Sequence, residues 1–347
     1  MRMKSIALHV FAALLLFSSS IPVVAQTEAN TDDQSVKVVA AAEALLQTLS
    51  DAQRATVLFK FNDADQRVRW SNLPTGIYRR AGLRTGDLKP DQLQAMFAVI
   101  QATLSPAGWQ QVVDNVAGDE VLNENSGGRP GRVIFGKDEY YFSILGAPSR
   151  TEPWMWQFGG HHLAINATII GDRITLAPSL TGGQPIQYVK DGKQIVQMAD
   201  EVKLAFELVN SLDEEQKRKA VLENRFADMA LGPGRDDVHP APEGIRADEL
   251  TEPQQALLKK LLAQRIGLLN AEDAAERQKA TEAQLTETWF SWRGPTSSGS
   301  AAYYRVQGPG VFMEYSPQQL GGKPQEHIHA MYREFENDYG LEWLNEK

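Results

Sequence analysis

The sequence predicts an α+β fold, a mainly antiparallel or mixed β-sheet with helices before and between two strand blocks. Three observations predict it. Apolar residues recur at helical spacing over residues 36–123 and again over 199–282. Strand patterns bounded by turn residues fill 138–180 and 288–335. No Gly-rich strand-to-helix turn of the dinucleotide or P-loop type occurs, which argues against a doubly wound parallel sheet.

The N-terminus carries Arg2 and Lys4, then an apolar run from Ile6 to Phe17, a polar patch at Ser18–Ser20, and Val23-Val24-Ala25 before Gln26. That layout predicts a secretory signal peptide over residues 1–25. Its apolar run is short for a membrane span, which needs about 20 residues; an uncleaved anchor is the alternative. Residues 26–35 are expected to be a flexible tether and 36–347 a single domain, with no integral membrane segment once the leader is cleaved. The expected location is therefore periplasmic or secreted.

The formal charge is −9, and loss of Arg2 and Lys4 with an acid-free leader moves it to −11. Such a chain repels a phosphate backbone, so nucleic acid is excluded as an expected partner. Cysteine is absent. This excludes disulfide stapling, thiol catalysis, iron–sulfur clusters and blue-copper thiolate ligation.

Taken in order, Val36–Phe61 has apolar residues at helical intervals, with Ser50-Asp51 able to cap a second helix inside it. Leu88–Leu104 is a helix with Leu93, Met96, Phe97 and Ile100 on one side. Ser105-Pro106 then supplies an N-cap and first helical residue for another helix, to about Leu122. Tyr140–Leu145 is a strand, Trp154–Phe158 is extended, and His162–Leu176 is a hairpin around Gly171-Asp172. Helices are expected over Ala199–Phe226 and Ala247–Glu282, with Leu231–Gly244 between them as the best candidate boundary. Strands follow at Thr288–Arg293, Tyr303–Gln307, Val311–Tyr315 and Glu326–Arg333. No internal repeat is evident.

Five histidines remain after the leader, and four of them fall in two clusters, one in each strand block. In His327-Ile328-His329 the two imidazoles share one face of a strand, because strand side chains alternate. In His161-His162, adjacent strand residues would point apart, unless Gly159-Gly160 makes the backbone irregular. His162 is then the expected ligand, with His161 beside it. Imidazoles at His161, His162, His327 and His329 suit a divalent transition metal: zinc, copper, iron or nickel. A solvated strand face is the plain alternative. Glu314, an acid among large apolar residues, is a candidate fourth ligand or proton acceptor, and Arg333 a candidate group to steady an anion. Trp156 and Arg293 are candidates to orient an anionic or sugar-like ligand or substrate of unknown identity. His239 is read as an ordinary loop residue. Neither His-Glu-x-x-His nor Gly-x-Ser-x-Gly occurs.

Several stretches together resemble domain-of-unknown-function family 3500, over roughly Ala55 to Leu344. They are Arg69-Trp70 through Pro74, Leu104-Ser105-Pro106-Ala107-Gly108, Gly146–Ser149, Trp154–Leu163, Pro178–Gly182, and His327 through Arg333 to Asn337-Asp338-Tyr339-Gly340. The resemblance implies that both histidine clusters belong to one shared pattern and brings no activity with it. Three classes of function remain open. The chain is a metal-dependent hydrolase or oxidoreductase, a non-catalytic ligand- or metal-binding protein, or a structural protein whose histidines only hydrogen-bond the sheet.

Overall fold

The computed structural model describes residues 33–126, 133–223, 228–320 and 322–346. The expected leader, with the tether as far as residue 32, lies outside the described residues. α1 (Gln34–Thr48) starts just inside the expected tether, where Asp33 accepts the N–H of Ser35. A Ser50–Gln53 capping box opens α2 (Asp51–Val57), followed by the short β1 (Leu58–Phe59) and α3 (Ala64–Arg67). β2 (Leu83–Arg84) leads into α4 (Pro90–Thr103), and Ser105 caps α5 (Pro106–Asn125). The first strand block is β3 (Tyr141–Leu145), β4 (Trp154–Gly159), β5 (Leu163–Ile170), β6 (Arg173–Thr175) and β7 (Ser179–Gly183). A small hairpin, β8 (Gln187–Lys190) and β9 (Lys193–Val196), closes the first half.

The expected helix over 199–226 breaks early. α6 (Ala199–Ser211) ends at an extended Leu212, and Asp213 caps a separate α7 (Glu214–Ala220). β10 (Ile245–Arg246) precedes α8 (Glu252–Ile266) and α9 (Ala271–Ala283), which the Asn270 cap separates within the expected 247–282 helix. β11 (Trp289–Arg293), β12 (Tyr303–Gln307), β13 (Phe312–Pro317) and β14 (Ile328–Arg333) form the second block, before α10 (Leu341–Asn345).

Among the described residues the two blocks join in one twelve-stranded mixed sheet, in the order β1-β3-β4-β5-β7-β14-β13-β12-β11-β10. The order mirrors itself about β7 and β14, and so does the register. Leu83↔Phe142 recurs as Ile245↔Phe290, Phe142↔Phe158 as Phe290↔Val306, and Phe158↔Ile165 as Val306↔Met313. The parallel pair Leu58↔Ile144 recurs as the bridge Val221↔Trp292. Ile165↔Ser179 recurs as Met313↔Tyr332, and Ser179 pairs with Tyr332 itself, so a pseudo-twofold axis passes there. Leu104↔Leu269 sits on the same axis. Its flanking bonds are Ser105 N–H to Leu268 O and Asn270 N–H to Thr103 O.

The chain is thus a diverged tandem repeat, which corrects the expectation of none. Among the surviving identities are residues the backbone demands. Gly82 and Gly244 both have positive φ (103° and 98°), and a Cβ would sit 2.3 Å from Phe142 O or 2.1 Å from Phe290 O. Gln92 and Gln254 make equivalent bonds, to Thr48 O and Gln53 in one half and to Ser211 O and Gln216 in the other.

Both helical layers cover one sheet face. Leu163 and Ile165 pack with α1, α4 and α5, while Ala330 and Tyr332 pack with α6 and α8. Ala164, Leu180 and Met331, in one cross-strand row, face the other way against Trp70, Met229 and Tyr339. The 231–244 segment is no boundary. Leu231 is fully buried there, and Pro240 O and Ala241 O accept from Gln307 and Arg305. Asp32–Lys347 is one compact unit. No described helix is long and apolar enough to cross a membrane.

One buried acid reports on this packing. Burial pushes Asp273 up to about 6 against hydrogen bonds from Asn270 and Ile174, with Glu272 and Glu276 adding to the rise. Folding therefore favours its protonated form. That stabilisation is whole below about pH 4 and is lost as pH rises through about 6, at most roughly 3 kcal/mol for a two-unit shift. Denaturation at pH 4, 5.5 and 7 should show the parent losing stability relative to Asp273→Asn across that window. Parallel curves for the two proteins would contradict it.

Candidate metal centre

β5, β7 and β14 lie side by side, and at one shared end their residues converge: the 160–162 bend before β5, Gly182-Gly183 closing β7, and His327–His329 opening β14. The bend is irregular, as Gly159-Gly160 suggested. Gly160 has no room for a Cβ, which would meet the Tyr140 ring at 2.8 Å. Both imidazoles of the bend therefore turn the same way, with ring centres 3.6 Å apart. Gly182 lies opposite His329, and a Cβ there would sit 3.0 Å and 3.2 Å from the Cδ2 atoms of His329 and His162.

All four histidines are buried, at 8% (His161), 1% (His162), 7% (His327) and 4% (His329) exposed. His161, His162 and His327 each offer a nitrogen within 4.8 Å of the others'. His162 Nε2 is 3.2 Å from His327 Nε2, which is 3.3 Å from His329 Nε2. His162 and His327 belong to both sets, so they are the two nitrogens common to any ion held here.

The second nitrogen of each ring decides what the first can do. His162 Nδ1 lies 2.7 Å from Asp119 Oδ1, and His327 Nδ1 lies 2.5 Å from Leu320 O. A carboxylate and a carbonyl only accept, so both Nδ1 atoms carry the hydrogen and both Nε2 atoms present bare lone pairs. Two bare lone pairs then face each other at 3.2 Å inside the protein. Burial, then the neighbouring imidazoles, pushes His162 and His327 down to about 4 and holds His329 well below its usual range, so no proton settles between them at neutral pH. A cation resolves the conflict. Nitrogens about 2.0–2.1 Å from a tetrahedral ion lie roughly 3.3 Å apart. The third ring is pinned by Asn72, whose Nδ2 is 3.1 Å from His329 Nδ1. In that setting His329 carries its hydrogen on Nε2 and directs it at the His327 Nε2 lone pair 3.3 Å away; turning the Asn72 amide over moves that hydrogen to Nδ1 and frees the His329 lone pair as well.

Asp119 is the residue that the sequence reading missed. It sits on α5 with Asn115 one turn before it, and both point at the bend. Asn115 Nδ2 donates to His162 O and Gly182 O, and Tyr140 OH donates to Asp119 Oδ2 at 2.8 Å. Burial opposes ionisation of Asp119, yet His162 and His161 hold it well below the usual carboxylate range. The signal was available: Val112, Asn115 and Asp119 share the inward face of a helix, and polar residues there need partners. Arg80 clasps the other side, donating to Ser71 O, Leu73 O and Gly160 O, so one guanidinium places both Asn72 and the histidine bend.

The model of a family described as "Protein of unknown function (DUF3500)" matches residues 31–341. The chain belongs to this family. No curated protein and no solved structure matches it. In this DUF3500 chain His161 and His162 of one cluster and His327 of the other, far apart in sequence, form one group that could hold a metal ion.

The other candidates lie elsewhere. Glu314, fully buried, accepts the N–H groups of Ala230 and Leu231 and the hydroxyl of Tyr303. Arg333 donates to Leu231 O and pairs with Asp236 and Asp338. Both anchor the 230–236 segment of the DUF3500 fold to the sheet. Trp156 is a core residue whose Nε1 donates to Thr103, and Arg293 forms a two-point pair with Glu243. His239 stands against Phe335.

Gly182→Ala tests the convergence. Its methyl would press on Ile328 O at 2.5 Å as well as on both rings, costing about 1–3 kcal/mol. A lowered urea midpoint is expected. An unchanged midpoint would mean that the strand ends can shift apart.

Proposed function

We propose that this is an exported metal-binding protein holding one divalent transition-metal ion between the 161–162 bend and the start of β14. One observation carries the reading: two bare Nε2 lone pairs, His162 and His327, face each other at 3.2 Å, each fixed by an obligate acceptor on its other nitrogen. Metal-bound histidines are held in this way, with the second ring nitrogen given to a carboxylate or a carbonyl. Export rests on the leader-like residues 1–25. The low exposure of all four rings favours a closed, non-catalytic centre, and the all-nitrogen ligands favour zinc or copper over a hard cation.

A metal-dependent hydrolase or oxidoreductase is the second reading. It follows if only three imidazoles take the ion, because a three-histidine centre keeps a position for water and lowers its pKa. X-ray absorption separates the two: four nitrogen neighbours mark the closed centre, and three with an exchangeable oxygen mark the enzyme.

Protein purified without chelator should carry one transition-metal ion per chain, and His162→Ala and His327→Ala should each lose it. A metal-free preparation, or a His327→Ala protein that keeps its ion, overturns the proposal. Asp119→Asn should weaken metal affinity about 10–100-fold, the usual cost of losing such a supporting group, as read by competition with a chromogenic chelator. Unchanged affinity would remove Asp119 from the centre.

A further inference from the structure

Away from the histidines, a groove of about 550 Å³ runs between α6, the end of β9, the adjoining ends of β13 and β14, and the 298–300 turn. That volume falls within the roughly 300–1,000 Å³ usual for small-molecule sites. Its walls are mostly apolar: Ile186, Val196, Val202, Phe206 and Ile328 line it, and all but Val196 belong to the core of the second half or pack against it. The two charged side chains on the wall offset each other, Lys203 lying 3.8 Å from Glu207 one helical turn away.

One polar group in this wall has no protein partner. Tyr315, on β13 and 8% exposed, lines the groove with its ring stacked on Tyr304, centres 5.5 Å apart and planes within 5°. Tyr304 gives its hydroxyl to Glu201, which also pairs with Arg265 at 2.8 Å. The Tyr315 hydroxyl makes no hydrogen bond among the described residues and is not one of the enclosed unpartnered atoms, so it meets the open space of the groove. Burial, then the Glu201 carboxylate, pushes it above the usual phenol range, and it keeps its hydrogen to donate. The start of α6 opens on the same space. Ala199 lines it, and Met198 before the helix supplies no side-chain cap for the first N–H groups. Water can satisfy these donors but gains nothing from the apolar wall, whereas an acceptor carried on an apolar body satisfies both.

We propose that this groove binds an uncharged lipid-like molecule, an aliphatic or aromatic body bearing one carbonyl oxygen. The body lies along Val202, Phe206 and Ile328, and the carbonyl accepts from the Tyr315 hydroxyl. A free carboxylate suits the place poorly, because Glu201 stands behind Tyr315 and Lys203 is already offset by Glu207. The inference does not rest on the metal reading of the histidine centre.

Titration of the full chain with Nile red, a neutral dye with one ring carbonyl, tests it by fluorescence; one saturable site per chain is expected. The β8–β9 hairpin supplies a matched pair of variants, since Val196 (44% exposed) lines this groove and Val189 (68% exposed) lines a different apolar groove over α5. Val196→Arg should weaken the dye at least tenfold and Val189→Arg should leave it as in the parent. The reverse result places the dye over α5 and overturns the proposal. Tyr315→Phe removes a hydroxyl that bonds to no protein group, so the thermal midpoint should hold while dye affinity falls about fivefold, the worth of one neutral hydrogen bond. Unchanged affinity in Tyr315→Phe overturns the proposal. So does octanoate displacing the dye better than octanamide, which would mean an anionic ligand. A dimer in sedimentation that Val196→Arg splits would mean that a second copy covers the groove, and overturns it as well.

Discussion

β7 and β14 run antiparallel through the middle of the sheet, and each half of the molecule hangs from one of them. Their pairing sets everything beyond it, because a buried strand must find partners for its backbone on both sides. β7 has one neighbour in its own half, β5, and one in the other, β14. Ser179 facing Tyr332 fixes the pseudo-twofold axis, and the Leu104–Leu269 bridge fixes it again beneath the helices. With both points set, the two helical layers fall on the same face. The strand ends β5, β7 and β14 are brought together at one place and their counterparts at another.

These two places began with the same backbone and ended with opposite chemistry. In one, Asp119 on a helix faces His162 on the bend; in the other, Gln284 faces Gly310. Exchanging an imidazole for a hydrogen atom opens a cleft, and exchanging a carboxylate for an amide removes the charge that would orient a ring. The second place carries its charge at the rim instead, on Glu276, Glu336 and Glu342.

Much of this was legible in the residues themselves. Helix starts at Ser50 and Ser105 follow from side chains that accept the first free N–H groups, whereas the Asn270 cap, inside an expected continuous helix, was missed. The alternating strands from Tyr141 to Ile170 follow from their apolar period. β7 was not legible as a strand, since Ser-Leu-Thr-Gly-Gly has a single β-branched residue, Thr181, and ends in two glycines; only its neighbours make it one. The repeat was illegible for a related reason. What the halves share are glycines at positive φ and glutamines under helix starts, and apolar composition drifts freely around such positions. The histidine clusters could be seen and their meeting could not, because that depends on β7 lying between them.

How many ligands the centre offers turns on His161. Three of its four rings are held by the protein: His162 by Asp119, His327 by the Leu320 carbonyl, His329 by Asn72. His161 lies against His162 with the rings tilted by 35°, but its Nδ1 is 3.5 Å from Asp119 Oδ1 and makes no hydrogen bond. A buried ring nitrogen without a partner is costly, about 1–3 kcal/mol, so this ring gains from any contact it can reach. Asp119 already accepts His162 and Tyr140, and the nearer oxygen is taken by His162 at 2.7 Å, so His161 would be a third and more distant donor. A cation beside His162 and His327 is the stronger attraction, and it lies within reach of this ring, whose ligand nitrogen is within 4.8 Å of theirs. An ion held here would thus owe its place to His162 and His327, and its third imidazole to His161.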